Sequence, residues 1–519
     1  MEITRKEFLE TLGIGAAGSL APSSPSAMPS QGEQAARPAN PKVKHGDDLK
    51  GCTDAVADFI ATDQRAAFPP DVLREAKRCL IDGFAVILAG STLRGSAIVR
   101  EYVSGFEGKE ASVVGPEPLR VAAAKAALAN GASGHAMDYD DTQLSTTPDR
   151  TFGLLTHPTI PALAAALAVA ERKNASGAQF LDAFVTGFEV ECKIAEAIDP
   201  DHYQRGFHSS GTIGAFGAAA SAARLLGLNR ANIANMLAIT ASLSSGIRVN
   251  FGSMTKPLHV GRAAENGVFA AELASRGFTG GDAGLDGKWG FFQVFGGGAE
   301  PDRLIGALGR PYTIVNPGVS VKPYPCGSLS HPSMDAMLKL IVEHDLKPEQ
   351  IKAVRLRAGS NILEPLRYKT AKTELEAKFC IPFLLSALIL RRKAGIREFT
   401  DEFVSSAPVQ EMMLKVTGVF DREIEAQGFD KMRSIVEVDL VDGRALVERA
   451  DERYRGGPEK PFTREELHEK FTDCASLLLS PERIRTALTQ IESVEMLKSI
   501  RELIATLSSS AGRKTNTPR

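Results

Sequence analysis

The chain has 519 residues, of which 43% are hydrophobic and 24% are charged, and its formal net charge at pH 7 is −2. This composition is typical of a globular protein with two or three folding units and ample core. The small net charge gives no reason to expect nucleic acid or an anionic membrane as a partner. The six cysteines form no Cys-x-x-Cys pair, so neither a zinc knuckle nor a disulfide framework is indicated.

The first 45 residues are expected to lie outside the fold. Arg5 and Lys6 precede a weakly apolar run, residues 12–18, and a tail rich in Ser, Pro and Ala. This resembles a twin-arginine export leader in which Lys6 replaces the second arginine; a membrane anchor would need about 20 apolar residues. A disordered tail from a misplaced start codon is the alternative. The compartment therefore stays open between the cytoplasm and, with a working leader, the periplasm.

Helical periodicity dominates residues 51–310. Apolar residues recur there at three- and four-residue spacing, bounded by Pro and Gly. The predicted helices cover residues 71–88, 118–132, 158–172, 177–197, 212–226 and 230–244. We find no strand alternation in this part and no Gly-x-Gly-x-x-Gly after a strand, so the sequence does not predict a dinucleotide site.

The pattern changes near Pro311 and changes back near Pro461. An irregular crossing over residues 312–325 leads to alternating strands and to a hairpin around Asp442-Gly443. The predicted elements are helices at 333–344 and 374–391, a strand at 351–358, the hairpin 435–441 with 444–447, and helices within 461–508. We therefore predict a mainly α fold with an α+β part. A large all-helical domain (46–316 plus 461–510) would carry a smaller inserted α/β lid domain (317–460), with a ligand cleft between them.

Groups that can hold or move a proton are densest in residues 134–142, Gly-His-Ala-Met-Asp-Tyr-Asp-Asp-Thr, followed by His157-Pro158. A polar loop, residues 143–155, would bring His157 back towards the first segment. Helix capping explains the same residues in purely structural terms. Metal binding by histidine and aspartate is a further interpretation.

A helix running through this segment to Thr142 would arrange its side chains by the helical repeat. His135, Asp138 and either Asp141 or Thr142 would share one face, with Asp140 turned aside. Under this prediction Asp138 faces the site together with His135, whereas Asp140 does not.

Further motifs punctuated by Gly and Pro carry histidine or lysine, in residues 205–211, 246–261, 322–331 and 377–383. Five of the nine histidines lie in such motifs: His135, His157, His208, His259 and His331. Together with Lys256 they would form a cationic pocket that contains titratable groups, which suits a substrate with several carboxylates. Taken singly, each has a plainer explanation as a cap or a solvated residue.

The order of these motifs resembles that of the MmgE/PrpD family, which includes 2-methylcitrate dehydratase and cis-aconitate decarboxylase. In chain order they are His-Ala-Met-Asp-Tyr-Asp-Asp-Thr, His-Pro, Gly-Phe-His, Gly-Ser-Met-Thr-Lys-Pro-Leu-His-Val-Gly and Lys-Pro-Tyr-Pro-Cys. The similarity extends from about residue 52 to about residue 507. The resemblance implies a large helical domain, an α/β lid, a homodimer, and chemistry without a metal or an organic cofactor.

The resemblance also implies site residues by position. The catalytic residues would be Asp138, His157, His208, Lys256 and His331, and the substrate-binding residues Thr142, His259 and Lys322. Two departures argue against naming a substrate. Phe383 stands where some members, including the decarboxylase, have a tyrosine, and the loop between Thr142 and His157 is longer than in the decarboxylase.

The function predicted from the sequence is a cofactor-independent lyase, a dehydratase or a decarboxylase, for a small di- or tricarboxylic acid. Lys256 and the histidines would hold the carboxylates, one histidine would move a proton next to a carboxylate, and a second group would protonate a departing hydroxide or the carbanion left by loss of CO2. Spacing does not assign the acid and the base.

Three alternatives remain open at this level. The first is an epimerase or isomerase of an imino or hydroxy dicarboxylic acid that uses two proton carriers. The second is a metal-dependent hydrolase built on His135, Asp138, Asp140 and Asp141. The third is a binding or scaffold protein without catalytic activity.

Overall fold

The helices of the computed structural model follow the apolar periodicity of the sequence closely. The structure describes residues 41–62, 68–144, 147, 154–198 and 200–508, so residues 1–40 of the predicted leader lie outside the described residues. Two residues from its end, Lys44 and His45, hydrogen bond to Ala299 and Gly297. The longer helices before residue 300 are Cys52–Ala61, Pro70–Gly90, Arg94–Ser104, Ala123–Ala136, Thr159–Lys173, Gly177–Ala197, Gly214–Leu226, Arg230–Leu243 and Thr255–Ser275, and the single-turn helices are Asp201–Gln204 and Ser209–Thr212. Five of the six predicted helices are confirmed within about two residues at each end.

The remaining predicted helix, residues 118–132, is wrong at its start. Strand β1 (Ala111–Val113) pairs with β2 (Leu119–Val121), and the helix begins only at Ala123. A second short antiparallel pair joins β3 (Gln143–Leu144) to β4 (Leu154–Thr156). The expectation of no strands here was therefore wrong, because strands of two or three residues are too short to show alternation.

Small residues allow the central helices to pack closely and antiparallel. Gly261 in the helix Thr255–Ser275 lies against the helix Ala123–Ala136, where a Cβ on it would come within 2.5 Å of the Leu128 carbonyl oxygen. Gly267 similarly approaches the backbone of Ala219. The contact at Gly261 places the first turn of the helix Thr255–Ser275 beside the last turn of the helix Ala123–Ala136.

The α/β part contains one four-stranded sheet of order β6-β5-β7-β8. Its strands are β5 (Ile351–Ala358), β6 (Val416–Phe420), β7 (Ser434–Leu440) and β8 (Ala445–Arg449). β5 runs parallel to β6 and antiparallel to β7, and β7–β8 is a hairpin. Strand β5 and the hairpin confirm the prediction, whereas β6 was not predicted.

The longer helices of this part are His331–Glu343, Ile381–Arg391 and Ala407–Met413. The predicted helix 374–391 is wrong as a continuous element. It divides into Glu374–Ala377 and Ile381–Arg391, and the second piece has Pro382 in its first turn, where a proline ring is well suited.

Three C-terminal helices, Arg464–Ala475, Pro481–Glu492 and Arg501–Leu507, follow the sheet. Together with the helices before residue 300 they form one hydrophobic core, to which both Val321 and Phe462 belong. A second core extends from Tyr324 to Tyr454 and includes Phe251. The mainly α architecture with an α+β part is thus as expected, and the two-domain division at 316/317 and 460/461 stays a prediction.

No single helix in the described ranges is long and apolar enough to cross a membrane. Pro70–Gly90 and Arg94–Ser104 meet that requirement only as a pair, bent by 86°. Most of the first of these helices is buried in the core described above.

Candidate active site

The helix expected to run through Thr142 ends at Ala136 instead. Asp138 adopts a left-handed backbone conformation with a φ of 53°, which turns the chain out of the helix. Asp140 is therefore not turned aside: both of its carboxylate oxygens lie 2.8–2.9 Å from Nδ1 of His135. Because a carboxylate accepts and does not donate, Nδ1 carries the proton and Nε2 of His135 carries the lone pair.

Two lysines converge on the carboxylate of Asp138. Lys256, in the first turn of its helix, donates to Asp138 Oδ1 over 2.9 Å and to His135 Nε2 over 2.9 Å. Lys322 donates to the same oxygen over 2.6 Å, to the Asp138 carbonyl over 2.8 Å and to the Cys326 carbonyl over 3.1 Å. An ammonium has three protons, so Lys322 has none left for a ligand, whereas Lys256 keeps one for which the described residues provide no acceptor.

This arrangement shifts the pKa values of Asp138 and Lys256. Burial alone would raise the pKa of Asp138, but Lys256 and Lys322 outweigh burial and hold that pKa well below its ordinary value. Burial lowers the pKa of Lys256, with a smaller effect of the same sign from Lys322 and an opposing one from Asp138. The result is a buried site in which two lysine side chains share one carboxylate.

His157 has a tautomer that its neighbours determine. Its Nδ1 lies 2.8 Å from the backbone carbonyl oxygen of Asp141, which can only accept a hydrogen bond. Nδ1 therefore carries the proton and Nε2 the lone pair. Burial lowers the pKa of His157 well below its ordinary value, so in this state the ring is a neutral base.

The two ring nitrogens of His208 differ in their hydrogen bonding. Its Nδ1 is 3.1 Å from Nδ1 of His259, while its Nε2 is buried and has no hydrogen-bond partner among the described residues. Burial, followed by the positive charge of Lys256, lowers the pKa of His208 well below its ordinary value. The positive charge of the site therefore belongs to Lys256 and Lys322, the carboxylates of Asp138 and Asp140 offset it, and the rings of His157 and His208 are neutral. The cationic pocket expected from the sequence stays a prediction.

A buried acid lies directly behind this layer. Asp141 Oδ2 accepts a 2.6 Å hydrogen bond from the hydroxyl of Thr159. Burial and the neighbouring Asp82 raise the pKa of Asp141 to about 8. This carboxyl group is therefore mostly protonated at neutral pH and adds little negative charge to the site.

A cleft with about 440 Å³ of empty space opens over these groups. Its polar wall contains Asp138, His157, His208, Ser209, Ser210, Lys256 and Lys322. Its apolar wall contains Tyr203, Phe251, Leu329, Leu366 and Phe379. Groups from the predicted helical domain and from residues 322–379 thus meet in one cleft.

Three of the predicted site residues lie outside the lining of this cleft. His331 has both ring nitrogens engaged: Nε2 lies 3.2 Å from the Cys326 carbonyl, and the hydroxyl of Tyr454 lies 2.5 Å from Nδ1. Thr142 pairs through its backbone with Ser320. His259 lies behind His208. These positions indicate supporting roles in this conformation.

Neither of the two departures from the family pattern, Phe383 and the loop between Thr142 and His157, is seen to line the cleft among the described residues. Phe383 is fully buried and packs edge-to-face against Phe399 and Phe403, so a hydroxyl there would enter an apolar core. Most of the loop between Thr142 and His157 lies outside the described residues.

One group of three side chains has ligand atoms as close together as in a metal site. His135, Asp138 and His157 each offer a ligand atom, and these atoms lie within 4.8 Å of one another. However, the Lys256 ammonium is hydrogen bonded to two of the three. A cation placed among them would have to displace a positive charge, so this donor set does not fit a metal ion.

Several lining residues were not predicted. Asp140, which lies behind the lining, was expected to turn aside and instead contacts His135. Ser209 and Ser210 follow His208 directly, which is a signal that the sequence offered. Other lining residues and supports, among them Tyr203 and Tyr454, carry no sequence signal because they approach from separate segments.

Comparison with known proteins agrees with this picture. The models of the MmgE/PrpD N-terminal domain and the MmgE/PrpD C-terminal domain match residues 54–304 and 324–495. Cis-aconitate decarboxylase of Homo sapiens is 28% identical over 461 residues, which cover 87% of this chain and 93% of the human protein.

Two further relatives carry the same name. The protein of Mus musculus is 27% identical, covering 87% of this chain and 92% of its own length. The protein of Aspergillus terreus is 25% identical, covering 87% of this chain and 94% of its own length. These relatives are carboxy-lyases by name, in agreement with the lyase expected from the sequence. Because the two family models together cover most of the chain, it belongs to the MmgE/PrpD family.

Proposed function

We propose that this protein is a lyase for a small di- or tricarboxylic acid, and that it works by acid–base catalysis with its own lysine and histidines. The observation that carries the proposal is the position of Lys256: its free N–H, the neutral ring of His157 and the unpartnered Nε2 of His208 belong to one cleft. The names of the relatives make decarboxylation of a cis-aconitate-like acid the first reaction to test.

In this proposal Lys256 binds a substrate carboxylate and stabilises the enolate-like charge that develops next to it. A low-dielectric site strengthens that interaction, because Lys256 is only 5% exposed and its ammonium lies 5.3 Å from the ring centroids of Phe251 and Phe379. His208 delivers a proton from Nε2 to the carbanion that loss of CO2 leaves. Lys322 keeps Asp138 ionised and does not contact the substrate.

Dehydration would use the same groups with one more step. His157, whose Nε2 carries the lone pair, would remove the proton next to the carboxylate, and His208 would protonate the departing hydroxide. Two opposed proton carriers would also serve an epimerase, but the decarboxylase relatives favour a lyase. His331 and Thr142 would support the site, and His331 would do so through the main chain at Cys326.

A product screen tests the proposal. Purified protein is incubated with cis-aconitate, citrate and 2-methylcitrate in D2O, and products are identified by NMR while released CO2 is measured. We expect loss of CO2 or water from at least one acid, with one solvent deuteron in a decarboxylated product. Deuterium exchange without loss of either would instead support an epimerase.

Variants connect the activity to this cleft. His208→Gln and Lys256→Met should lose turnover, whereas His468→Gln, outside the cleft, should not. Wild-type turnover in both site variants would refute the assignment. The homodimer implied by the family resemblance stays a prediction, which analytical ultracentrifugation tests.

A further inference from the structure

His208 and His259 form a direct contact between two imidazoles that leads away from the cleft. Their Nδ1 atoms lie 3.1 Å apart and their ring centroids 5.3 Å apart. At this distance one ring donates a hydrogen bond and the other accepts it. The position of that single proton determines the chemistry of His208 on its cleft side.

Two tautomeric states follow from the hydrogen-bonding capacity of a neutral imidazole. If His259 donates to His208, Nε2 of His208 carries a proton towards the cleft and is an acid. If His208 donates to His259, Nε2 of His208 carries a lone pair and is a base. Because that Nε2 has no partner among the described residues, either state is open to it.

His259 lies nearer the protein surface than His208 does. Its side chain is 8% exposed, compared with 3% for His208. The half-buried Gly246 lies over its ring, and a Cβ at that position would come within 3.2 Å of the ring carbon Cγ and 3.3 Å of Nδ1. The next residue towards the chain start, Ser245, is exposed. A side chain larger than glycine at position 246 would crowd the ring of His259.

We propose that His259 is a positioning residue that passes solvent protons to His208. This inference rests on the proposed function, since a decarboxylation consumes one proton per turnover. The route is needed because a bound acid and the apolar wall exclude water from the cleft.

The relay balances as a concerted shift of three protons. A solvent proton bonds to Nε2 of His259, the Nδ1 proton of His259 moves to Nδ1 of His208, and the Nε2 proton of His208 forms the new C–H bond of the product. Both rings begin and end neutral, which fits the lowered pKa values of both: burial lowers that of His259 to about 4 and holds that of His208 well below its ordinary value. After product release, the reverse shift from water in the open cleft restores the first state.

Two substitutions separate a relay from a structural hydrogen bond. His259→Asn keeps a polar group that can bond to Nδ1 of His208 but cannot transfer a proton, whereas His259→Phe removes the bond as well. With cis-aconitate as substrate, we expect both variants to lose kcat by about 10-fold or more with little change in KM. Added imidazole should restore kcat in His259→Asn in a saturable manner and should not affect the wild type.

The solvent isotope effect on kcat should also increase in His259→Asn, because proton delivery then limits the rate. Wild-type kcat and isotope effect in His259→Asn, with loss only in His259→Phe, would overturn the relay and leave a structural role. His468→Gln serves as the matched control for loss of a histidine outside the cleft.

A readout without turnover distinguishes failure of the relay from failure of the proposed function. In protein labelled with ¹⁵N-histidine, a scalar coupling between the two Nδ1 nitrogens across their hydrogen bond should be observed and should disappear in His259→Asn. Absence of this coupling in the wild type would overturn the relay whatever the substrate. If the coupling is present but no acid is turned over, the proposed function fails and the contact between the rings stands.

Discussion

Lys322 and Asp138 are joined at two points: the ammonium donates to the side-chain oxygen over 2.6 Å and to the backbone carbonyl of the same residue over 2.8 Å. Lys322 has no exposed surface. The contact therefore stabilises both the charge of Asp138 and the left-handed backbone conformation that ends the preceding helix. Lys256, in the helix Thr255–Ser275, binds the same carboxylate. The two ion pairs of Asp138 therefore fix the geometry on which the proposed chemistry depends.

Lys322→Met should destabilise the fold by about 3–5 kcal/mol, because it leaves one fewer positive charge beside a buried carboxylate. Urea unfolding measures this change. In an Asp138→Asn background the same substitution should cost much less, since asparagine tolerates the left-handed conformation and carries no charge. Equal costs in the two backgrounds would show that the ion pair does not stabilise the fold.

Lys256→Met should lower kcat/KM by about 10²–10³ while the protein remains folded, because the substituted side chain cannot stabilise developing negative charge. Arginine should not restore activity, since its planar fork cannot occupy the position between His135 and Asp138. Steady-state kinetics and near-UV circular dichroism provide the two measurements. Lys288→Met, at an exposed position, is the control.

Asp141→Asn should alter how stability depends on pH. The pKa of Asp141 is raised from 3.8 to about 8 by burial and by Asp82, so the folded protein holds a proton that the unfolded chain releases. Its contribution to stability is complete below pH 3.8 and is lost as the pH rises through 8.

Asparagine does not titrate, so the variant should gain stability relative to the wild type as the pH rises from 4 to 8, by up to about 1.4 kcal/mol per pH unit. The free energy of unfolding at several pH values measures the difference. Asp302→Asn, at an exposed position, should show no such trend. A constant difference for Asp141→Asn would contradict the raised pKa.

Binding of a dicarboxylate should take up a proton. In the empty cleft, burial holds the pKa of His157 well below its ordinary value, whereas a bound anion favours the charged ring. Calorimetric titration with succinate at about pH 7.5, in buffers of different ionisation enthalpy, measures the uptake. It should decrease in His157→Gln. Release of protons by the wild type would contradict the neutral state of this ring.

Chelation of divalent ions should leave turnover unchanged. The ammonium of Lys256 is hydrogen bonded to two of the three groups that could ligate a metal, so the proposed steps use no bound cation. Activity after dialysis against EDTA, with and without added Mg²⁺, Mn²⁺ or Zn²⁺, is the measurement. Loss of activity that one of these ions restores would favour the metal-dependent alternative.

The sequence by itself determined most helices, the strand β5 and the hairpin around Asp442-Gly443, because these elements follow from local periodicity and turn chemistry. The family resemblance also predicted several residues that line the same cleft. Asp138, His157, His208 and Lys256 lie there as expected.

Only the tertiary structure decided what each of these residues faces. The left-handed turn at Asp138 is held by Lys322 from 184 positions further along the chain, and helix propensity alone would have continued the helix. The same holds for His331, whose partner Tyr454 comes from a distant segment, and for the contact between His208 and His259. Sequence periodicity depends on residues that are close along the chain. Histidine tautomers, side-chain charges and unused hydrogen-bond donors depend instead on residues that are close in space.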